Sequence, residues 1–423
     1  MLCRAVLSAV LLSLTVALAA ATDWPQWRGL HRDGVSPETG LLQEWPPEGP
    51  KVRWKRTDIG GGFSTPVVVG GKVYLQTNQD IDPMAANPDA IEYALCLDEK
   101  TGQDVWKTPI GKVGANRGLN YNGTRSTPTV DGDRLYCLSS AGQLVCLTTD
   151  GKPKWQKDLI KDLGGVIGGE KAGWSYSESV LVDGDLVICT PGGEMATLAA
   201  LNKNTGEVVW KCAVPGGDAA EYSSIMITEA GGVKQYVTFL RKGLVGVEAK
   251  TGKFLWQYTK VVDPGANIMT PNVYRDRIFV SASRGGGAVI ELKNTNGKIA
   301  VNEVFFNKSL GASIGSALLI DGYLYGTTTQ GLFCADFATG KEQWLEKSIG
   351  NASLCFADGR IYARSFAGDI FLVEPNPKEY IQHGRVKQPD RSKIAAWPHP
   401  VVANGGLYVR DMNTLVCFDV KKQ

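Results

Sequence analysis

Five times along the chain a glycine that closes a polar turn is followed, four residues later, by a tryptophan: Gly102 and Trp106, Gly151 and Trp155, Gly206 and Trp210, Gly252 and Trp256, Gly340 and Trp344. A weaker copy has Gly297 followed by Val301. In the run from Leu95 to Trp106, apolar residues alternate up to Leu97. Thr101-Gly102 then supplies a turn in which a residue without Cβ takes positive φ, and Trp106 opens the next extended run. Self-similarity at a period of roughly 45 residues, carried by strand-like segments, is the signature of a β-propeller.

A second register agrees with the first. Apolar strands open at Pro66, Pro128, Val180, Ile225, Pro271, Ala317, Leu354 and Pro400. In seven of these units an aromatic or isoleucine stands eight residues on: Tyr74, Tyr136, Ile188, Phe279, Tyr325, Tyr362 and Tyr408. Turn pairs such as Asp131-Gly132 and Asp321-Gly322 fall between, which reads as strand, hairpin, strand. Eight openings predict an all-β, eight-bladed β-propeller of four-stranded blades. The last unit, through Cys417, stops without a tryptophan strand, whereas Lys51-Val52-Arg53-Trp54 is a tryptophan strand with no blade before it. Pairing the two satisfies both exposed edges and closes the ring. The docking tryptophans are then Trp54, Trp106, Trp155, Trp210, Trp256 and Trp344.

Residues 1–21 read as a signal peptide, with Arg4 before an apolar run and Ala19-Ala20-Ala21 as the cleavage site. Residues 22–50 form an aromatic, proline-rich lead-in, and 51–420 the propeller. The lead-in reads as packing its rings on the propeller, or as a docking segment for a partner. The mature protein is expected to be exported to the periplasm or outside the cell, to act as a monomer, and to have no membrane span after cleavage. A formal net charge of +2 gives no electrostatic ground for a nucleic-acid partner.

Export permits disulfides, yet Cys96, Cys146, Cys334 and Cys417 recur at one repeat position where Ala200 and Gly246 stand in other blades, as small buried residues do. A two-residue hairpin at Ala141-Gly142 would place Cys137 opposite Cys146 and allow a bridge there. No metal-binding spacing occurs. Long connections at 78–90, 111–124 and 158–178 break the period, and such loops are where propellers carry specificity.

One residue before each opening the column reads Thr65, Thr127, Ser179, Ser224, Thr270, Ser316, Ser353 and His399. These hydroxyls either bond neighbouring backbone where inner strands crowd together or face a ligand. With the residues around them, Arg125, Trp174, Tyr176, Glu178, Tyr222, Trp397 and His399 compose a candidate pocket at one mouth of the channel. It suits a planar or sugar-like ligand or a peptide edge, with Arg125 and Glu178 as a solvated ion pair in the alternative reading. No catalytic residue is assigned.

The units from Leu97 to Trp106 and from Leu201 to Trp210 resemble the pyrroloquinoline quinone (PQQ) type propeller repeat. Asp23 to Gly29, Gly173 to Ser179 and Trp397-Pro398-His399-Pro400 resemble a bacterial branch of secreted PQQ-like proteins. Quinoprotein dehydrogenases of this superfamily hold PQQ and Ca²⁺ in the channel, whereas the scaffold of the outer-membrane β-barrel assembly complex binds proteins. The chain has no vicinal cysteine pair, and its carboxylates match no calcium or general-base set. The resemblance therefore implies an exported binding or assembly scaffold, more a binder than an enzyme, meeting a protein, small-molecule or glycan partner at the channel mouth. The alternatives are a PQQ-dependent dehydrogenase of alcohols or sugars and a carbohydrate-binding module.

Overall fold

The computed structural model describes residues 22–78, 90–114, 123–168, 175–312, 314 and 316–422. The expected signal peptide, Trp174 and the middles of the three long connections lie outside the described residues.

Eight sheets form the predicted ring. Blade 1 runs outward through Val67–Val69, Lys72–Asn78, Ile91–Asp98 and Asp104–Lys112. The inner strands of blades 2 to 8 are Thr129–Asp131, Leu181–Asp183, Met226–Thr228, Asn272–Tyr274, Leu318–Ile320, Ala352–Ala357 and Val401–Ala403, each starting within two residues of its expected opening. The ring closes as predicted: Val52–Arg56 pairs antiparallel with Thr414–Asp419, setting Trp54 opposite Cys417. Among the described residues the helical content is one 3-10 turn, Ala230–Gly232.

A shared irregularity defines the outer strand. In all eight blades the register slips by one residue just before the docking position. Such a bulge bends the strand and re-aims the next side chain, here onto the following blade. Opposite each docking tryptophan stands Cys96, Cys146, Ala200, Gly246, Cys334 or Cys417, because an indole leaves room only for a small neighbour. The Nε1 of Trp54, Trp106, Trp155 and Trp344 donates to Glu99, Thr149, Lys203 and Asn376 carbonyls of the next blade. A Cβ added at Gly102 would lie 2.7 Å from the Trp54 ring, and one at Gly151 2.6 Å from Trp106. The repeat glycines thus serve both positive φ and close contact with an indole.

Two blades depart from the expected pattern. In blade 5 the hairpin Gly286–Thr295 and Lys298–Asn307 is extended, which carries Gly297 away from its neighbours. The docking position is Phe305, opposite Val289 and against Gly340, and not Val301. With Gly297 displaced, Trp256 donates within its own blade to Gln235. In blade 7 the position after the bulge is Gly384, and the missing ring comes from the lead-in. Trp45 covers Gly384, donates its backbone N–H to His383, and lies 6.0 Å from Tyr362, the separation found between Trp54 and Tyr408.

The apolar core lies between blades: Tyr136, Leu144 and Cys146 of blade 2 pack with Val187, Ala199 and Leu201 of blade 3. The possible Cys137–Cys146 bridge is corrected. The turn spans 139–143, which pairs Tyr136 with Cys146 and Cys137 with Val145. A one-residue change of register sends the two thiols to opposite faces of the sheet, and both are free and buried.

Candidate functional site: the channel mouth

The hydroxyl column forms a belt. Thr65 N–H donates to Thr127 Oγ1, Thr127 to Ser179, Ser179 to Ser224, Ser224 to Thr270, Thr270 to Ser316, and His399 N–H to Thr65, at 2.9–3.4 Å. Short inner strands crowd at the axis, and six of the seven hydroxyls take a backbone N–H from the neighbouring blade, while Ser353 Oγ donates to Trp397 O.

Behind the belt the channel is filled by the chain itself. Residues 23–36 of the lead-in, expected to pack on the propeller, cross the channel. Trp24 exchanges both backbone hydrogen bonds with Val68 of blade 1, and Pro25 accepts from Val130 of blade 2. Val35–Ser36 adds a parallel strand to the inner strand of blade 7. Arg28 donates to Arg32, Asp33, Ser316 and Ala317 carbonyls, and Arg32 to Ser179 and Val180 carbonyls and Gln26 Oε1. Both guanidiniums are buried, which pulls each down to about 10. Carbonyl dipoles take most of their N–H groups, leaving Arg32 Nε without a partner, and no carboxylate among the described residues forms a salt bridge with either.

On the near side of this plug the mouth holds a cavity of about 180 Å³. Trp27 lies at its floor, with Nε1 donating to Thr270 of the belt at 2.9 Å and its ring 4.7 Å from His399. Phe63, Tyr222, Ile268, Ile314, Trp397 and Pro398 form the walls. Phe63 and Trp397 stand 4.7 Å apart. Arg125 lines the same space, with its guanidinium 5.6 Å from the Phe63 ring and 5.9 Å from Tyr222. Behind it Glu92 is buried with Oε1 and Oε2 accepting from Ser140 N–H. Burial pushes its carboxyl up to about 7, against the pull of Ser140 and of the Arg125 charge.

Four of the seven candidates therefore meet: Arg125, Tyr222, Trp397 and His399. Tyr176 and Glu178 do not. Tyr176 packs in the core between blades 2 and 3, its hydroxyl donating to Pro191 O at 2.7 Å. Glu178 points between blades, with Oε1 accepting from Thr190 N–H and Oε2 without a partner, and forms no ion pair with Arg125 among those present. Burial pushes its carboxyl up to about 7, offset by the Thr190 bonds and by Arg32. Sequence reasoning missed Trp27 and Glu92. Trp27 carries no periodic signal, whereas Glu92 does: a charge alternating with Ala94 and Cys96 on a buried strand face.

His399 Nδ1 lies 3.2 Å from Leu354 O. A carbonyl only accepts, so Nδ1 carries the proton and Nε2 is a bare acceptor. Nε2 is buried without a partner, so no hydroxyl is activated by it. Burial, helped by Arg28, holds the imidazole down to about 3.

The quinone and calcium implied by the superfamily can be set against this donor set. Calcium takes about six to eight oxygens, carboxylates among them. The cavity lining contains no Asp or Glu among the described residues, and no group of three His, Cys, Asp or Glu able to hold a metal occurs among them. The residues do not fit that pair.

A family model described as outer membrane protein assembly factor BamB matches residues 92–346. The tetrathionate hydrolase of Acidithiobacillus ferrooxidans is 23% identical over 372 residues, covering 79% of this chain and 68% of that protein. The outer membrane protein assembly factor BamB of Shewanella oneidensis is 23% identical over 391 residues, covering 85% and 86%. Among solved structures, BamB from Moraxella catarrhalis superposes with a TM-score of 0.55 at 16% identity, covering 81% of this chain and 98% of that one. The quinohemoprotein alcohol dehydrogenase of Comamonas testosteroni gives 0.67 at 12%, covering 95% and 81%. At these identities the structures share the fold.

Proposed function

Because the chain belongs to the family described as outer membrane protein assembly factor BamB, we propose that it is an exported binding scaffold that holds a protein partner at the open mouth of its propeller channel. The observation that carries this reading is the plug. With residues 23–36 closing the far side, ligands reach the channel from one mouth, and that mouth presents rings, hydroxyls and one guanidinium with no described carboxylate. Such a lining binds and orients; among its described residues no carboxylate is placed to act as a general base. The neighbouring loops add exposed apolar side chains. Met195 is 63% exposed, and Ile160 and Val166 are exposed beside it. Gly164 and Gly193, which nearly touch Met195 and Val166, bring these loops together. They lie on the mouth side because each blade's second strand returns towards the start of its inner strand.

A photo-crosslinking residue placed at Met195 or Ile160, in cells that express the protein, tests this. The expected result is a discrete adduct with an envelope protein. The same residue at Lys100 or Asn204, on turns of the opposite face, should give none. Adducts from those turns alone would overturn the reading.

A further inference from the structure

We propose that Met195 is a modification site, oxidised to the sulfoxide by peroxide-class oxidants, and that this change at the mouth loosens the docking of the partner. The second half rests on the mouth being the docking surface. Of the four described methionines, Met226, Met269 and Met412 are at most 6% exposed, whereas Met195 is 63% exposed. That exposure is built in. Met195 stands on the turn between Leu186–Cys189 and Leu198–Asn202, and the turn is pinned around it. Gly193 N–H donates to Asp218 O, Thr197 Oγ1 donates to Gly193 O, and Ala196 is buried. A Cβ added at Gly164 would lie 2.8 Å from Met195 Sδ, so one flank of the thioether rests on glycine, whose N–H is tied to Ile160 O.

The chemistry needs only the thioether and the oxidant. An Sδ lone pair attacks one oxygen of a hydroperoxide, the O–O bond breaks, and sulfur keeps that oxygen while the peroxide is reduced to water or an alcohol. Thiols do not compete. All eight described cysteines are free and buried, and burial pushes each thiol up, away from the reactive thiolate. The product matters because Met195, Ile160 and Val166 are the exposed apolar side chains of these loops. A sulfoxide turns a flexible apolar side chain polar. A partner that covers it then buries an acceptor that water had satisfied, which costs about tenfold or more in affinity.

Peptide mass spectrometry of the intact protein exposed to hydrogen peroxide tests the site. Met195 should gain one oxygen well before Met226, Met269 and Met412, and uptake at one common rate would overturn the proposal. The docking half is read with a benzophenone side chain placed at Ile160. The purified protein is treated, freed of peroxide and irradiated with envelope extract. Treatment should lower the adduct about tenfold, and methionine sulfoxide reductases should restore it. In Met195→Leu, whatever its starting yield, peroxide should not lower the adduct. Equal loss in that variant, or no loss in the parent protein once Met195 is oxidised, would overturn this half. If the untreated protein gives no adduct, the scaffold reading falls and takes the docking half with it, while the oxygen uptake still decides the site.

Discussion

A carboxyl buried without a counter-ion keeps its proton to higher pH, and Glu178 shows the consequence at the scale of one residue. It stands in the column beside the mouth, where its charge stood out in the sequence, yet the side chain turns between blades to accept from Thr190. Period alone fixed its place along the strand and not the side to which it turns. Its folded-state pKa, about 7, lies above the ordinary 4.5. The stability it supports is therefore fully present below about pH 4.5 and is lost as pH rises through 7, since the unfolded chain releases its proton first. Glu178→Gln removes that titration while keeping an oxygen for Thr190. Relative to the unsubstituted protein, the variant should gain about 3 kcal/mol between pH 5 and pH 8. Glu92 and His399 titrate in both proteins and cancel in the difference. Urea midpoints at the two pH values measure it, and parallel midpoints would show that the carboxyl is ionised at little cost.

At the scale of the element, the unit that repeats is a bulged outer strand delivering a ring to the next blade, and seven of the eight blades supply that ring themselves. The six tryptophans were readable because the turn glycine and the indole recur at fixed spacing. Phe305 was not, since the extended hairpin of blade 5 moves the turn away from the docking position while leaving the bulge in place. Nor was Trp45, which reaches blade 7 from outside the repeat. Its equivalence to the other indoles rests on Gly384, where the bulge is conserved in form and the side chain is missing. Trp45→Ala should therefore cost about 3–5 kcal/mol, as for a core tryptophan, and not the few tenths of an exposed loop residue. Gly384 does not have positive φ, so a side chain is tolerated by its backbone. Gly384→Trp should destabilise the native chain, by colliding with Trp45, but recover stability in the Trp45→Ala background. That sign reversal, read from denaturant midpoints of the four proteins, identifies one shared binding place for two rings. Simple additivity would refute it.

For the whole molecule, ring closure uses two devices that the chain keeps separate. Val52–Arg56 closes the outside of blade 8, and residues 23–36 tie the inner strands together across the axis. The latch follows from strand arithmetic and was legible; the plug was not, because Asp23 to Gly29 has neither period and makes its bonds with partners far along the chain. Arg28 and Arg32 both adopt positive φ, a strained state for a residue with a Cβ, and the carbonyls of Ser316, Ala317, Ser179 and Val180 hold them there. Deleting residues 22–36 leaves the latch and the belt intact, so the propeller should still form, with a lower melting temperature. The amides of Val68, Val130 and Phe356 donate to Trp24, Pro25 and Gly34. In the shortened protein those three sites should lose protection from hydrogen exchange, while third-strand amides such as Leu97 and Leu147 keep theirs. Unchanged protection at the three inner amides would mean that the ring holds its axis closed without the plug, and the one-mouth geometry on which the binding role depends would fall with it.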